Sequence, residues 1–187
     1  MNSWLNDERR WLALTFAALA LGVIWTFTSR APAAATSGGA PPPSPREGFS
    51  APDFTLELLG GGQASLSGLR GKVVLVNFWA TDCAICIREM PQITATYNRY
   101  RAQGFETIAV AMRHDPPNYV LDYVEKNRLP FQVALDPLGE LARAFGEVRL
   151  TPTTFIIDRQ GRVVTRILGE PDFARLHVLL EEKLKEL

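Results

Sequence analysis

The stretch Asn77-Phe-Trp-Ala-Thr-Asp-Cys-Ala-Ile-Cys-Ile-Arg-Glu-Met-Pro91 limits the possible folds of this chain more than any other. A nearly continuous apolar run from Lys72 to Phe78 reads as a strand buried on both faces. A short turn follows, then the start of a helix. The turn carries Cys83 and Cys86, the only two cysteines among 187 residues. Two residues between them, with the first at a helix N-terminus, suit a redox disulfide. Only the thiolate attacks sulfur, and a free thiol is mostly protonated at neutral pH. A helix N-terminus offers unpaired N–H groups and a partial positive charge, and both favour the anion. Cys83 is therefore expected to be exposed and nucleophilic. Cys86, one turn further in, is placed to attack a mixed disulfide and release the partner. Two inert structural thiols are the bland alternative, and the strand–turn–helix setting argues against them.

Charge excludes one class. The 20 basic and 20 acidic side chains cancel, so nothing points to nucleic acid. Trp11 to Phe27 is an uncharged run of 17 residues. As a helix it would rise about 26 Å, near the lower limit for crossing a bilayer. Trp11 and Trp25 stand near its ends, where interfacial rings belong. Arg9 and Arg10 precede the run and Arg30 follows, which puts the N-terminus in the cytoplasm. The rival is a cleaved signal peptide, with Ala31-Pro-Ala33 or Ala33-Ala-Ala35 as the peptidase site. The apolar stretch is slightly long for that, which favours an uncleaved anchor. Residues 31–47 are dominated by Ala, Pro, Ser and Gly and read as a semi-rigid tether reaching on the order of 50 Å. The expected division is a cytoplasmic N-terminus at 1–10, a transmembrane signal anchor at 11–29, a linker at 30–47 and one domain at 48–187.

Within the domain, Phe54–Leu58 and Gln63–Leu66 flank Gly60-Gly-Gly62 and predict a hairpin. The helix from Cys83 is expected to reach Tyr100, with Pro91 kinking it. Phe105–Ala111 reads as the next parallel strand, Pro117–Asn127 as a helix and Phe131–Leu135 as a strand. A helix over Leu138–Phe145 ends at Gly146. Thr153–Ile157 and Val163–Leu168 form a hairpin, and an amphipathic helix closes the chain with Phe173, Leu176, Leu180 and Leu184 on one face.

Gly71-Lys72, the strand ending Asn77-Phe-Trp-Ala80, the Cys-x-x-Cys pair, Glu89-Met-Pro91 and the later Thr151-Pro152 together resemble the TlpA/ResA group of membrane-anchored thiol–disulfide oxidoreductases. The resemblance covers roughly residues 48–187. It implies an α/β, thioredoxin-like fold with an N-terminal β-hairpin extension and a central αβ insertion, preceded by one transmembrane helix. It implies an enzyme that needs no cofactor and no metal. That enzyme reduces disulfides of extracytoplasmic proteins, in cytochrome c biogenesis or copper-site assembly. It sits in the bacterial inner membrane with its catalytic domain facing the periplasm, and a membrane thiol donor of the DsbD/CcdA type recharges it.

The resemblance also implies roles for single residues. Pro152 is the cis-proline facing the cysteine pair, and Thr151 offers its backbone to an incoming peptide. Trp79 joins these two as a substrate-binding residue. Glu89, one turn after Cys86, joins Cys83 and Cys86 as a catalytic residue that relays protons. Burial would raise its pKa toward neutrality. A solvated Glu89 paired with Arg88 or Arg99 is the plainer reading. Ordinary thioredoxins have an aspartate where Asn77 stands, and an amide cannot take that proton. Asp82 departs from the group, which commonly has tryptophan there. Its charge beside Cys83 disfavours the thiolate and should make the couple more reducing. A simple N-cap aspartate is the alternative. Ala80, three residues before Cys83, removes the peroxiredoxin reading, since that family has threonine there. A copper-binding chaperone using the cysteine pair is the competing function. His114 and His177 lie outside ligand-like spacing, which weakens it. A purely structural interaction domain is the third possibility, and it predicts that Cys83→Ser changes nothing.

Overall fold

The computed structural model describes residue 48 and residues 50–186. The expected cytoplasmic segment, membrane anchor and linker lie outside the described residues. Among those described, no helix is long and apolar enough to cross a membrane.

Thr55–Glu57 (β1) and Gln63–Ser65 (β2) pair antiparallel as the expected hairpin. The turn between them needs Gly61 and Gly62 at φ of 88° and 81°, a region that side chains with a Cβ avoid. Just past β1, Leu58 bridges to Ala134, and the N–H of Leu59 donates to the Val133 carbonyl at 2.8 Å.

The main sheet uses Val73–Trp79 (β3), Phe105–Ala111 (β4), Gln132–Leu135 (β5), Thr153–Ile157 (β6) and Val163–Leu168 (β7). Their order is β5-β4-β3-β6-β7. β3, β4 and β5 are parallel, while β6 and β7 each run antiparallel to their neighbour. Every residue of β3 and β4 is buried, as a central strand covered on both faces requires. Ala84–Tyr100 (α1), Pro117–Asn127 (α2), Glu140–Ala144 (α3) and Phe173–Lys185 (α4) complete the fold. This is the thioredoxin-like arrangement, and α2 and β5 stand between β4 and α3, where the αβ unit was expected.

Alternation along β3 divides the core. Val74, Val76 and Phe78 pack with Phe145, Phe155 and the hairpin's Leu56 and Leu58. Val73 and Leu75 join Tyr100 and Phe105 of the α1 side, with Leu176 and Leu180 of α4. Trp79 packs with Cys86, Met90, Ile93 and the α2 residue Val120. By the same alternation, Asn77 faces α1.

Several element ends differ from expectation. β1 and β2 are trimmed to Thr55–Glu57 and Gln63–Ser65, β3 runs one residue later at Val73–Trp79, and α3 and β5 are also shorter. α3 spans only Glu140–Ala144, because the buried Asp136 carboxylate accepts from the N–H groups of Leu141 (3.2 Å) and Ala142 (2.8 Å). Leu138 falls before this start and is exposed. β5 begins at Gln132 rather than Phe131. Pro91 lies within α1, which runs on to Tyr100.

Candidate active site

β3 delivers the chain to the site, and α1 carries it away. Between them Cys83 is the N-cap of α1, in extended backbone, and its sulfur accepts from the Cys86 N–H at 3.1 Å. Cys83 and Cys86 are joined as a disulfide. Cys83 is half-buried and Cys86 is fully buried, so the outer sulfur is the one open to solvent.

The turn is fixed from behind by a residue that sequence reasoning did not single out. Asp115, buried in the connection after β4, accepts from the Thr81 N–H at 2.7 Å and from the Thr81 hydroxyl at 2.5 Å. An aspartate ahead of two prolines reads as a loop residue, and nothing in the sequence links it to Thr81. Asp82 points outward, three-quarters exposed, with its carboxylate 3.6 Å from His114 Nε2. It is not the helix cap, because Cys83 holds that position.

Glu89 is wholly buried on α1, one turn beyond Cys86. Its Oε1 accepts from Asn77 Nδ2 at 3.0 Å, and the same amide donates to Thr154 Oγ1 at 3.0 Å. Its Oε2 is buried without a hydrogen-bond partner among the described residues. Burial, the largest cause, raises the Glu89 pKa from 4.5 to about 7. The Asn77 hydrogen bond opposes that shift, the charge of Glu170 adds to it and Arg88 counters. The solvated alternative is thereby excluded: Arg88 pairs with Glu170 at 2.7 Å and Arg99 with Glu181 at 2.9 Å. Thr154 and Glu170 are further members of this environment that the sequence did not reveal, since each arrives from a distant strand or loop.

Thr151-Pro152 is a cis peptide, as expected. The Pro152 carbonyl accepts from the Gly169 N–H at 2.9 Å. The Thr151 backbone makes no hydrogen bond among the described residues. Trp79 requires a correction. It is 0% exposed, its ring stands 5.2 Å from that of Tyr123, and it offers no surface to a substrate. Its bulk supports the turn from below. His177 is a packing residue, bonded to Thr96 Oγ1 at 2.8 Å and set against Tyr100 and Phe173. Burial lowers its pKa.

A half-exposed sulfur at a helix N-terminus, bonded to a sealed partner one turn in, places the molecule in the class of thioredoxin-like dithiol redox proteins. The Redoxin family model matches residues 46–178. Thiol-disulfide oxidoreductase ResA of Bacillus thuringiensis subsp. konkukian is 36% identical over 140 residues, covering 75% of this chain and 78% of that protein. ResA of Geobacillus thermodenitrificans is 40% identical over 122 residues, covering 65% and 69%. A solved thiol:disulfide interchange protein of the thioredoxin family from Chlorobium tepidum superposes with a TM-score of 0.67 at 28% identity, covering 73% of this chain and 96% of that one. The chain belongs to the Redoxin family, among its TlpA/ResA-like members, and is a thiol–disulfide oxidoreductase.

Proposed function

We propose that this chain is a membrane-tethered reductase of protein disulfides, working outside the bacterial cytoplasmic membrane. The apolar run at 11–27, the proline-rich segment after it and the resemblance to the membrane-anchored TlpA/ResA group support that placement. One observation carries the chemistry: a half-exposed Cys83 sulfur, a sealed Cys86 and a buried Glu89 carboxyl follow one another inward along α1.

The Cys83 thiolate attacks one sulfur of a substrate disulfide. That bond breaks, a mixed disulfide forms and the other substrate sulfur leaves as a thiolate. The Cys86 thiolate then attacks Cys83 Sγ, and the second substrate sulfur departs. Two electrons pass from the cysteine pair to the substrate, and the protein is left with its Cys83–Cys86 bond. The two protons of the dithiol end on the substrate thiols. Cys86 is sealed from water, so its proton needs an internal acceptor. Glu89, with a pKa of about 7, can take and return it near neutrality. Asn77 holds one Glu89 oxygen and leaves the other open. The Cys86 N–H that meets Cys83 Sγ is a donor suited to the thiolate of the reduced form. Thr151, with its backbone unengaged, takes the substrate as an added strand. A membrane thiol donor of the DsbD/CcdA kind returns the electrons, and apocytochrome c or a copper-site assembly protein is the substrate.

Trapping tests this directly. The full chain carrying Cys86→Ser, expressed in cells, should accumulate adducts in the membrane fraction that dithiothreitol releases. Adding Cys83→Ser should abolish them. If no adduct depends on Cys83, the exchange mechanism is lost.

A further inference from the structure

Beside the cysteine turn lies a pocket of about 480 Å³ that the exchange chemistry does not use. Its floor is apolar, made by the buried Met112, Ala142 and Val148. Its walls are Arg113, Arg143 and Arg149, with His114 toward the cysteine turn and Glu147 as the one acid. The whole chain has equal numbers of acidic and basic residues, so three guanidinium groups facing one carboxylate is a local imbalance. Little within the protein neutralises it. Arg113 has no hydrogen-bond or ion-pair partner among the described residues. Arg143 donates to the Leu138 carbonyl at 2.9 Å and pairs with no carboxylate among them. Glu147 lies 3.6 Å from Arg149, whose side chain is 80% exposed, so the pair is loose and screened.

The pocket's position gives this charge a use. His114 reaches Asp82, the neighbour of Cys83, from one side. Arg149 lies two residues before Thr151, the backbone expected to pair with substrate. A peptide laid along 149–151 advances about 3.3 Å per residue. With its cysteine at Cys83, side chains two to four residues away would stand over the arginines. Guanidinium forks match carboxylates in shape as well as charge.

We infer that this pocket selects protein substrates bearing aspartate or glutamate two to four residues from the cysteine to be reduced. The assignment rests on exchange at Cys83 and specifies which disulfides reach it. Asp82 sets the spacing, since a substrate carboxylate nearer to Cys83 would meet its charge.

The test uses the full chain and two disulfide peptides that differ only by Glu or Gln at the third residue from cysteine. In 50 mM salt the reduced chain, in a single turnover, should react with the Glu peptide with a second-order rate constant roughly 10-fold above that for the Gln peptide, and the ratio should shrink toward one in 0.5 M salt. Arg113→Glu with Arg149→Glu should bring the ratio below one and create a preference for a Lys peptide, which loss of structure alone would not do. Separately, the chain with both cysteines changed to serine should bind the Glu peptide, its own cysteine replaced by serine, more tightly than the Gln peptide. Equal turnover of the two peptides, or a preference that survives charge reversal, overturns the inference. If neither peptide is reduced, exchange at Cys83 is what fails, and the binding comparison still decides the pocket.

Discussion

Glu89 is an acid held in the fold with a pKa near 7, against 4.5 when solvated. Between those two values the folded chain keeps a proton that the unfolded chain releases, so stability falls as pH rises through that window. The penalty is absent below about 4.5 and complete above about 7. Glu89→Gln keeps the oxygen that Asn77 bonds and removes the buried charge. At pH 8 the variant should be more stable than the parent by on the order of 2 kcal/mol, with little difference at pH 4.5. Urea unfolding at the two pH values reads this. The same variant should lose about 10-fold or more in disulfide turnover, together with the inflection near pH 7 in its rate profile. An unchanged profile would remove Glu89 from the proton path. The effect expected of the Asp82 charge on the outer sulfur is limited by its exposure. Asp82→Trp should make the couple less reducing by on the order of 10 mV, read from a redox equilibrium with glutathione. An equal or more reducing couple would contradict the role given to this charge.

The elements that hold these residues were legible to different degrees, and burial pattern explains which. β3 announces itself because nearly every residue is apolar, β4 by its apolar run from Ile108 to Ala111, and α2 because Pro117 opens it. The cysteine pair was readable from its spacing within a strand–turn–helix setting, and the Thr151-Pro152 step only through the family resemblance. What stayed hidden is a set of buried acids that bind backbone in irregular segments. Asp136 sets the start of α3. Asp158 organises the turn before β7, accepting from the N–H groups of Gln160 and Arg162. Asp115 anchors the cysteine turn. Their contacts follow no period, and in sequence they look like solvated loop residues. Trp79 was misplaced for a related reason: an aromatic beside an active turn reads the same whether it faces out or in. Asp115→Ala should free the Thr81 N–H and hydroxyl and cost about 2 kcal/mol in stability. Because it loosens the segment that aims Cys83, it should also lower kcat/KM by roughly 10-fold, and Asp115→Asn should recover part of both. A variant with reduced stability and intact turnover would show that the anchor serves the fold alone.

Across the whole molecule, stability and chemistry are separated along the length of β3. The strand begins at Val73 and ends at Trp79, about 20 Å further on, where the cysteine turn starts. Arg159 ties its far end, beside the Lys72–Glu106 ion pair and the Arg70 bond to the Gln160 carbonyl. Arg159, in the turn between β6 and β7, donates to the carbonyls of Gly71 (2.7 Å), Gln103 (3.3 Å) and Leu184 (2.8 Å). It thus fastens the entry to β3, the link before β4 and the end of α4. Arg159→Ala leaves three carbonyls without this donor. Those of Gly71 and Gln103 lie near the surface and regain water, so the cost is about 2 kcal/mol rather than the sum of three buried losses. For a domain of this size that should lower Tm by about 5 °C. Turnover at 25 °C should match the parent, because no contact of Arg159 reaches the turn, Glu89 or the Thr151 backbone. A fall in turnover at a temperature where the variant is fully folded would mean that the two ends of the sheet are coupled, and that β3 transmits disorder from one to the other.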